Sequence, residues 1–572
     1  MKFLRVNMTE KAVSVEDVPK EYIGLGGRGL TSAMINAEVP AKCDPLGPEN
    51  KLIFAPGLLS GTILVNTSRI SIGAKSPLTG TIKESNAGGT VGAAMGNLGI
   101  TAVIVEGKVL DGELYILKID KDSAASLDLA QDCKGMRTYA LAERLFKTYG
   151  DNNAVLCIGP AGEYQLASAS IQSSDVDGYP CRAAARGGLG AVMGAKGLKA
   201  LVVDQGGKNA DAPADPEAFR KAAAVFAKAI KGDLFCGQML SSLGTAVLIG
   251  IVNSMGAFPS LNATKGVMDG WEKISGEELA RVIQERGGKT GHRGCSQCAI
   301  HCSNQFVDKQ GKYVTGSLEY ETIWSMGSMT DINDLDVIAR LDFLCDDIGI
   351  DTINTGVAIA VAMDAGYKKF GDGRAAIEMI EEIGKCSETG KIFGNGPVAV
   401  GKHLNHHRVP AVKGQSLSAY DPRGMQGYGV TYATSPMGAD HTAGGLLEDY
   451  VGGALNPLET GGQVEASRKA QIAGAMIDSM GLCLLAASVL AVPEVMEAFV
   501  NMINAKLGTQ YNMDAINGIG VKVLQAELDF NRKAGFTNKD DRLPEFYYKE
   551  ALPPHNKIFL ISDEDMDKTF DL

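Results

Sequence analysis

Residues 295–302 read Cys-Ser-Gln-Cys-Ala-Ile-His-Cys, so one short loop must hold three thiols in a C-x2-C-x3-C spacing. Three thiolates on a tight loop suit three corners of a [4Fe–4S] cube, with the fourth ligand supplied from elsewhere in the chain. Cys483, in Asp478-Ser-Met-Gly-Leu-Cys483, is the candidate for that corner. A structural zinc completed by His292 or His301 is the alternative, although paired zinc signatures carry two C-x2-C units and this chain has one. The start, Met1-Lys-Phe-Leu-Arg-Val-Asn, lacks the apolar core of a secretory signal. With eleven scattered cysteines, an odd number, it points to a reducing, cytoplasmic setting in which thiols serve as metal ligands or core residues.

Glycine is in excess, 70 of 572 residues, or about 12% against a usual ~7%. Such excess without a collagen repeat means many left-handed turns or close approaches of backbone to something large. The net charge is −12 and the pI about 5.3. A nucleic-acid partner, which calls for a basic patch, is therefore not expected. An anionic ligand would have to be held by local N–H groups, a few arginines or a bridging cation. The late apolar stretch Leu482 to Val492 stops at Pro493 and is shorter than the ~20 residues a span requires, so no membrane span is expected.

The first ~205 residues read as strands and turns: Lys2–Asn7, Lys51–Ala55, Ile100–Val105, Glu113–Ile119, Ala154–Ile158 and Leu198–Val203 are short β-branched runs. Gly206 to Pro216 reads as a linker. Helical 3–4 spacing follows over 216–231, 276–286, 334–348 and 374–386, with Asp334 a candidate N-cap. A second boundary is placed near Val409-Pro410. The expected division is 1–207, 208–410 and 411–572, in the α+β class: a β-rich base followed by two mainly helical domains. His403, His406 and His407 read as a solvated helix end, not as a zinc site.

Asp346-Asp-Ile-Gly-Ile-Asp351 and Asp478-Ser-Met-Gly-Leu-Cys483 share a D-x-x-G spacing after helical runs. In each, the glycine is placed to end a helix and the aspartate to sit on its last turn. A carboxylate there opposes the helix dipole, so each calls for a donor-rich partner, with a solvated helix end as the bland alternative.

In order along nearly the whole chain stand Ile23-Gly-Leu-Gly-Gly-Arg-Gly-Leu, Asp44-Pro-Leu-Gly-Pro-Glu-Asn, Gly57-Leu-Leu-Ser-Gly-Thr, Ser68-Arg69, Ser76-Pro-Leu-Thr-Gly, Ser85-Asn-Ala-Gly-Gly and Arg186-Gly-Gly-Leu-Gly. The cysteine triplet, Glu319-Tyr-Glu-Thr, Asp346–Asp351, Ala439-Asp-His441 and Asp478–Cys483 complete the series. In that order the chain resembles the tungsten-containing aldehyde ferredoxin oxidoreductase family. The resemblance implies a [4Fe–4S] cluster on Cys295, Cys298, Cys302 and Cys483, beside a tungsten (or molybdenum) bis-pyranopterin with Mg2+ as an expected bridge between pterin phosphates. It places Arg69 between cluster and pterin, and Asn86, Gly88, Arg186 and Gly187 along the pterin phosphates and rings. Asp346, Asp351, Asp478 and the Leu482 backbone fall at the pterin edges, and Glu321 and His441 at the acid–base positions near the metal.

The activity implied is reversible oxidation of a small aldehyde to a carboxylic acid, with electrons passing to ferredoxin or a ferredoxin-like subunit, in an oligomer. Arg340 stands where some members have a carboxylate before the D-x-x-G-x-D, so no lone iron between subunits is expected. Two alternatives are carried forward. One is a reductase on the same scaffold acting on an aromatic acyl-CoA thioester or a carboxylic acid; the absence of a cysteine between Cys302 and Cys345 weighs against the thioester form. The other is a zinc-stabilised, non-enzymatic protein.

Overall fold

The structure is a computed structural model that describes residues 1–207 and 211–571. Its N-terminal part is built on two six-stranded sheets. The first comprises Lys2–Asn7 (β1), Ala12–Asp17 (β2), Leu52–Pro56 (β3), Ile70–Lys75 (β4), Ile82–Ala87 (β5) and Ile100–Glu106 (β6), in the order β2-β1-β6-β3-β4-β5. The second comprises Tyr115–Ile119 (β7), Ala125–Leu129 (β8), Asn153–Cys157 (β9), Ile171–Ser173 (β10), Arg182–Ala184 (β11) and Leu198–Asp204 (β12), in the order β11-β10-β9-β12-β7-β8. The β1–β6 and β7–β12 pairs are parallel, and every other pair is antiparallel.

Successive strand residues point to opposite faces, so a run that is apolar throughout needs cover on both sides. That is what these strands have. Leu4, Phe54, Leu156 and Leu201 fill the core between the sheets. Their neighbours Phe3 and Ile53 pack under helix Gly27–Glu38 on the outer face of the first sheet. Val155 and Val202 pack under helix Thr138–Tyr149 on the outer face of the second. The base is therefore a helix–sheet–sheet–helix stack, and the two covering helices are elements that the strand-and-turn reading left out.

The rest of the described chain is mainly helical. The expected helices stand as Pro216–Gly232, Gly276–Glu285, Leu335–Ile348 and Gly373–Gly384. Asp334 caps the third, accepting from the N–H groups of Asp336 and Val337. The linker expected over 206–216, and with it the boundary at 207/208, runs through 208–210, which lie outside the described residues. The stretch Phe235–Ser254 is long and apolar enough to cross a membrane by length and composition. It is divided into four short helical pieces, and its Cys236, Leu240, Ile249 and Val252 are fully buried in the main core.

A small third sheet joins Lys289–His292 (β13), Ser303–Val307 (β14) and Tyr313–Gly316 (β15), in the order β13-β14-β15. The cysteine triplet is the connection between β13 and β14, so a hairpin fixes both ends of the loop. Sequence reading missed this sheet because its strands are four or five residues long and rich in Gly, Ser, Asn and Thr. His406 is not part of a solvated helix end: its Nε2 lies 2.8 Å from Asp364 Oδ2, whereas His407 is exposed.

Candidate active site and cysteine cluster

The two cysteine-bearing segments meet through Asn66. It sits in left-handed backbone, φ 61°, a conformation Asn tolerates better than most residues. Its N–H donates to Gln297 O at 3.0 Å, and its Oδ1 accepts from the Ala299 N–H at 3.0 Å. Its carbonyl accepts from the Cys483 N–H at 2.8 Å, and its Nδ2 lies 3.6 Å from Cys298 Sγ. One residue thus ties the triplet loop to the fourth cysteine, 181 positions beyond Cys302. Further N–H groups point at sulfur: Gly89 N at 3.3 Å from Cys295 Sγ and His301 N at 3.3 Å from Cys298 Sγ. Burial pushes the thiols of Cys298 and Cys302 up, so these groups call for a cationic partner to become thiolates.

Helix Gln463–Met480 ends at Gly481 in left-handed backbone, as helix Leu335–Ile348 does at Gly349. The turn after Met480 lies against residues 57–69. Leu58 N donates to Ser479 O and Leu59 N to Met480 O, both at 3.1 Å, and Arg69 N donates to Gly481 O at 3.3 Å. Two glycines make this approach feasible. A Cβ at Gly57 would fall 2.1 Å from the Gly481 backbone, and one at Gly27 would fall 2.2 Å from Asp478 O.

These segments enclose a cavity of about 410 Å³. All four expected cysteines line it, with Arg69, Gly88, Asp346, Glu321 and His441. A Cβ at Gly88 would lie 2.6 Å from Cys295 Sγ, so glycine is what lets that loop reach the sulfur. The remaining expected residues stand behind this wall. Asn86 Oδ1 accepts from Arg69 Nε, and Leu482 is fully buried. Gly187 has φ 86° and packs on the stem of Lys83. Arg186 Nη1 donates to Ala439 O at 2.9 Å and Ser418 Oγ at 3.1 Å, while Asp351 Oδ1 caps the next helix by accepting from Ile353 N at 2.8 Å.

Asp478 meets a donor of the protein itself, Arg28 Nη1 at 3.4 Å. Burial, with the nearby carboxylate of Glu84, pushes its carboxyl up to about 7. The Asp346 carbonyl accepts from Thr138 Oγ1 at 2.8 Å, but its carboxyl accepts no hydrogen bond among the described residues, and burial raises that carboxyl well above the usual range.

Glu321 is on the first turn of helix Tyr320–Met326. Its Oε2 accepts from the Ala419 N–H at 3.1 Å, and its Oε1 has no hydrogen-bond partner among the described residues and faces His441 Nε2 at 3.5 Å. The other ring nitrogen of His441 lies 3.1 Å from Ser418 Oγ. Burial raises the Glu321 carboxyl, partly offset by His441 and Arg186. Burial also works against the charge of Asp440, but Lys83, Arg186 and His441 outweigh it and hold this carboxyl below the usual range.

Among the polar groups lining the cavity that sequence reading missed are Asn66, Arg182, Glu319, Asp342 and Tyr420. Of these, Glu319 alone lies inside a quoted motif. Asp342 is one helical turn before Asp346 and accepts from Thr315 Oγ1 at 2.6 Å; burial pushes it up to about 7.

A tetrahedral zinc with Zn–S near ~2.3 Å holds its sulfurs about 3.8 Å apart. Among the described residues no three of the four sulfurs lie within 4.8 Å of one another, and His292 is turned to Asp177 at 2.9 Å and His301 to Cys298 O at 3.0 Å. Buried polar atoms with no hydrogen bond among the described residues mark the cavity, Glu321 Oε1 and Arg182 Nε, and its back wall, Arg186 Nε and Asp351 Oδ2, which face each other at 3.7 Å. Such atoms fit a heterocycle that offers both donors and acceptors.

Residues 3–205 match the family described as "Aldehyde ferredoxin oxidoreductase, N-terminal domain", and residues 221–570 match "Aldehyde ferredoxin oxidoreductase, domains 2 & 3". The chain belongs to the aldehyde ferredoxin oxidoreductase family and is an oxidoreductase of that type. The zinc-stabilised, non-enzymatic alternative is set aside by that membership. Among its relatives are the tungsten-containing aldehyde ferredoxin oxidoreductases of Pyrococcus furiosus and Thermococcus kodakarensis, each 33% identical over 96% of this chain and 92% of the relative. A more distant relative is the WOR-like subunit of aliphatic sulfonate oxidoreductase from Pyrococcus furiosus, 26% identical over 78% of this chain and 75% of that one. The active-site complex BamBC of benzoyl coenzyme A reductase shares the fold, with a TM-score of 0.82 at 20% identity, over 100% of this chain and 93% of that one.

Proposed function

We propose that this chain oxidises aldehydes to carboxylic acids at a tungsten bis-pyranopterin and passes the electrons through a [4Fe–4S] cluster to a ferredoxin or ferredoxin-like subunit. The observation that carries the reading is the convergence of four cysteines, Arg69 and the Glu321–His441 pair on one cavity. Cys295, Cys298, Cys302 and Cys483 would hold the cluster. Arg69, Asn86, Gly88, Arg186, Gly187, Asp346, Asp351, Asp478 and the Leu482 backbone would hold the pterins, with Mg2+ between their phosphates. When bound, the metal–dithiolene group supplies the two-electron acceptor, and the protein supplies position and proton handling. The domain division 1–207, 208–410 and 411–572, and assembly as an oligomer, belong to the same proposal.

The overall change is RCHO + H2O → RCOOH + 2H+ + 2e−. Ser418 Oγ accepts from Arg186 Nη1 and is then free to donate its own proton to His441 Nδ1. That places the His441 proton on Nε2, toward the carbonyl oxygen and Glu321. Glu321 has one oxygen fixed by Ala419 N and one free, and burial makes it a better base than an exposed carboxylate. It takes the proton from water as oxygen adds to the carbonyl carbon.

Glu321→Gln and His441→Ala should each keep wild-type tungsten and iron while lowering kcat by about 10²-fold or more. Unchanged kcat in both variants removes the pair from the mechanism. At the Glu321 end, Tyr420 stacks on Tyr428 with ring centres 4.4 Å apart and an interplanar angle of 5°. This flat aromatic wall suits an aromatic substrate, which keeps an aromatic acyl thioester or carboxylic acid as the second substrate class beside an aromatic aldehyde. A screen of aldehydes against aromatic thioesters and acids separates the two readings.

A further inference from the structure

Arg182 stands on the cavity wall and has no part in the proposed proton chemistry. It opens β11, next to the buried thiol of Cys181. Its guanidinium lies against the backbone of Gly294: a Cβ at that position would fall 2.0 Å from Nη2, 2.6 Å from Cζ and 2.7 Å from Nε. Glycine at 294 is therefore what admits a guanidinium beside the residue preceding Cys295. Nη1 donates to Glu319 Oε1 at 3.1 Å, and Nε has no hydrogen-bond partner among the described residues. Burial works against the charge of Arg182, but the thiolate forms of Cys295 and Cys302, with Glu319, stabilise it.

The contacts continue beyond the ion pair. Glu319 Oε2 accepts from Thr245 Oγ1 at 2.6 Å, and Thr245 Oγ1 accepts from the Tyr320 N–H at 2.9 Å. Tyr320 opens the helix that carries Glu321. A bonded run thus joins Arg182, which packs on the cysteine loop at Gly294, to the start of the helix that bears Glu321.

We propose that Arg182 is a positioning residue that sets the electrostatic potential at the four-cysteine site, with Glu319 as its counter-charge. The inference rests on the cluster reading above. Aldehyde oxidation delivers two electrons, and each arrives at the cluster singly; reduction adds one electron there and no proton, and the electron then leaves to the carrier. A guanidinium held in a low-dielectric wall favours the added negative charge, and a carboxylate beside it opposes that charge.

The test is an anaerobic redox titration of the holoenzyme, followed by the electron paramagnetic resonance of the reduced cluster, with iron counted per chain. Arg182→Gln should lower the midpoint by at least tenfold in the reduced-to-oxidised ratio, about 59 mV for one electron. Arg182→Lys should restore most of the shift, and Glu319→Gln should move the midpoint the opposite way. Arg182→Gln and Glu319→Gln both at the wild-type midpoint with full iron would overturn the inference. If Arg182→Gln loses its iron, Glu319→Gln decides, and an unmoved midpoint there overturns it. A wild-type chain with no cluster signal sinks the cluster reading itself, and this inference with it.

Discussion

Gly57→Ala puts the meeting of the two cysteine-bearing segments to a quantitative test. The new Cβ would stand 2.1 Å from Gly481 N and Cα and 2.5 Å from Met480 C, all backbone atoms that cannot swing aside. Comfortable Cβ contacts begin near 3.4 Å, so the segments must part by the difference between 3.4 and 2.1 Å, about 1.3 Å. Hydrogen bonds of 3.1 Å at Leu58–Ser479 and Leu59–Met480, 3.3 Å at Arg69–Gly481 and 2.8 Å at Asn66–Cys483 would then exceed bonding distance. At a net ~0.5–1.5 kcal/mol each, losing all four costs about 2–6 kcal/mol. Gly57 has no left-handed φ, so backbone strain does not confuse the result.

Gly518→Ala is the matched control. It lies inside helix Met513–Ala534, and a Cβ there meets nothing within 4 Å. It should stabilise by up to ~1 kcal/mol. Urea unfolding of the cofactor-free chains gives the stability change, and iron per chain in the loaded proteins reports whether Cys483 still reaches its corner. A Gly57→Ala protein within ~0.5 kcal/mol of wild type and with full iron would refute the packing argument.

Asn66→Ala removes the acceptor of the Ala299 N–H and places alanine in left-handed backbone, so it should cost about 2–5 kcal/mol and speed iron loss to a chelator; unchanged unfolding and iron retention would deny Asn66 its linking role. Asp478 gives a pH signature in the cofactor-free chain. Its folded value of about 7 lies above the ordinary 3.8, so between these values the native state holds a proton that the unfolded state has released. Its contribution makes stability fall as pH rises through that window, by up to ~1.4 kcal/mol per pH unit, and Asp478→Asn should flatten the slope. An unaltered slope would show that this carboxyl does not titrate there.

Much of the base was legible because its strands are buried on both faces and so read as apolar runs. β3 is Leu-Ile-Phe-Ala-Pro with every residue buried, and no amphipathic alternation was needed to find it. The edge strand β2, Ala-Val-Ser-Val-Glu-Asp, has no fully buried residue and carries no comparable signal. Helix Gly27–Glu38 was hidden by its own function. Its first turn, Gly-Arg-Gly, is a poor helix opening by propensity, yet a Cβ at Gly27 would fall 2.2 Å from Asp478 O. Close packing of backbones selected the glycines, and glycines weaken every local helix signal.

The candidate site divides along the same line. The cysteine triplet and the two D-x-x-G turns were legible because closely spaced thiols stand out on one short loop and left-handed helix ends demand glycine at a fixed place. Arg182, Asn66 and Glu319 were not, since each matters through a partner more than 110 positions away: Arg182 reaches Glu319 and the Gly294 backbone, and Asn66 reaches Gln297, Ala299 and Cys483. No window of sequence contains such pairs. Asp478 shows the reverse error. Its place on a helix end rightly called for a donor, yet the first donor it meets is Arg28, 450 positions earlier, whose other side is held by Glu527 at 2.9 Å. The carboxylate motif therefore does two jobs: it ties the C-terminal helices to the opening helix of the base, and it keeps an aspartate beside the cavity whose charge Arg28 only partly offsets.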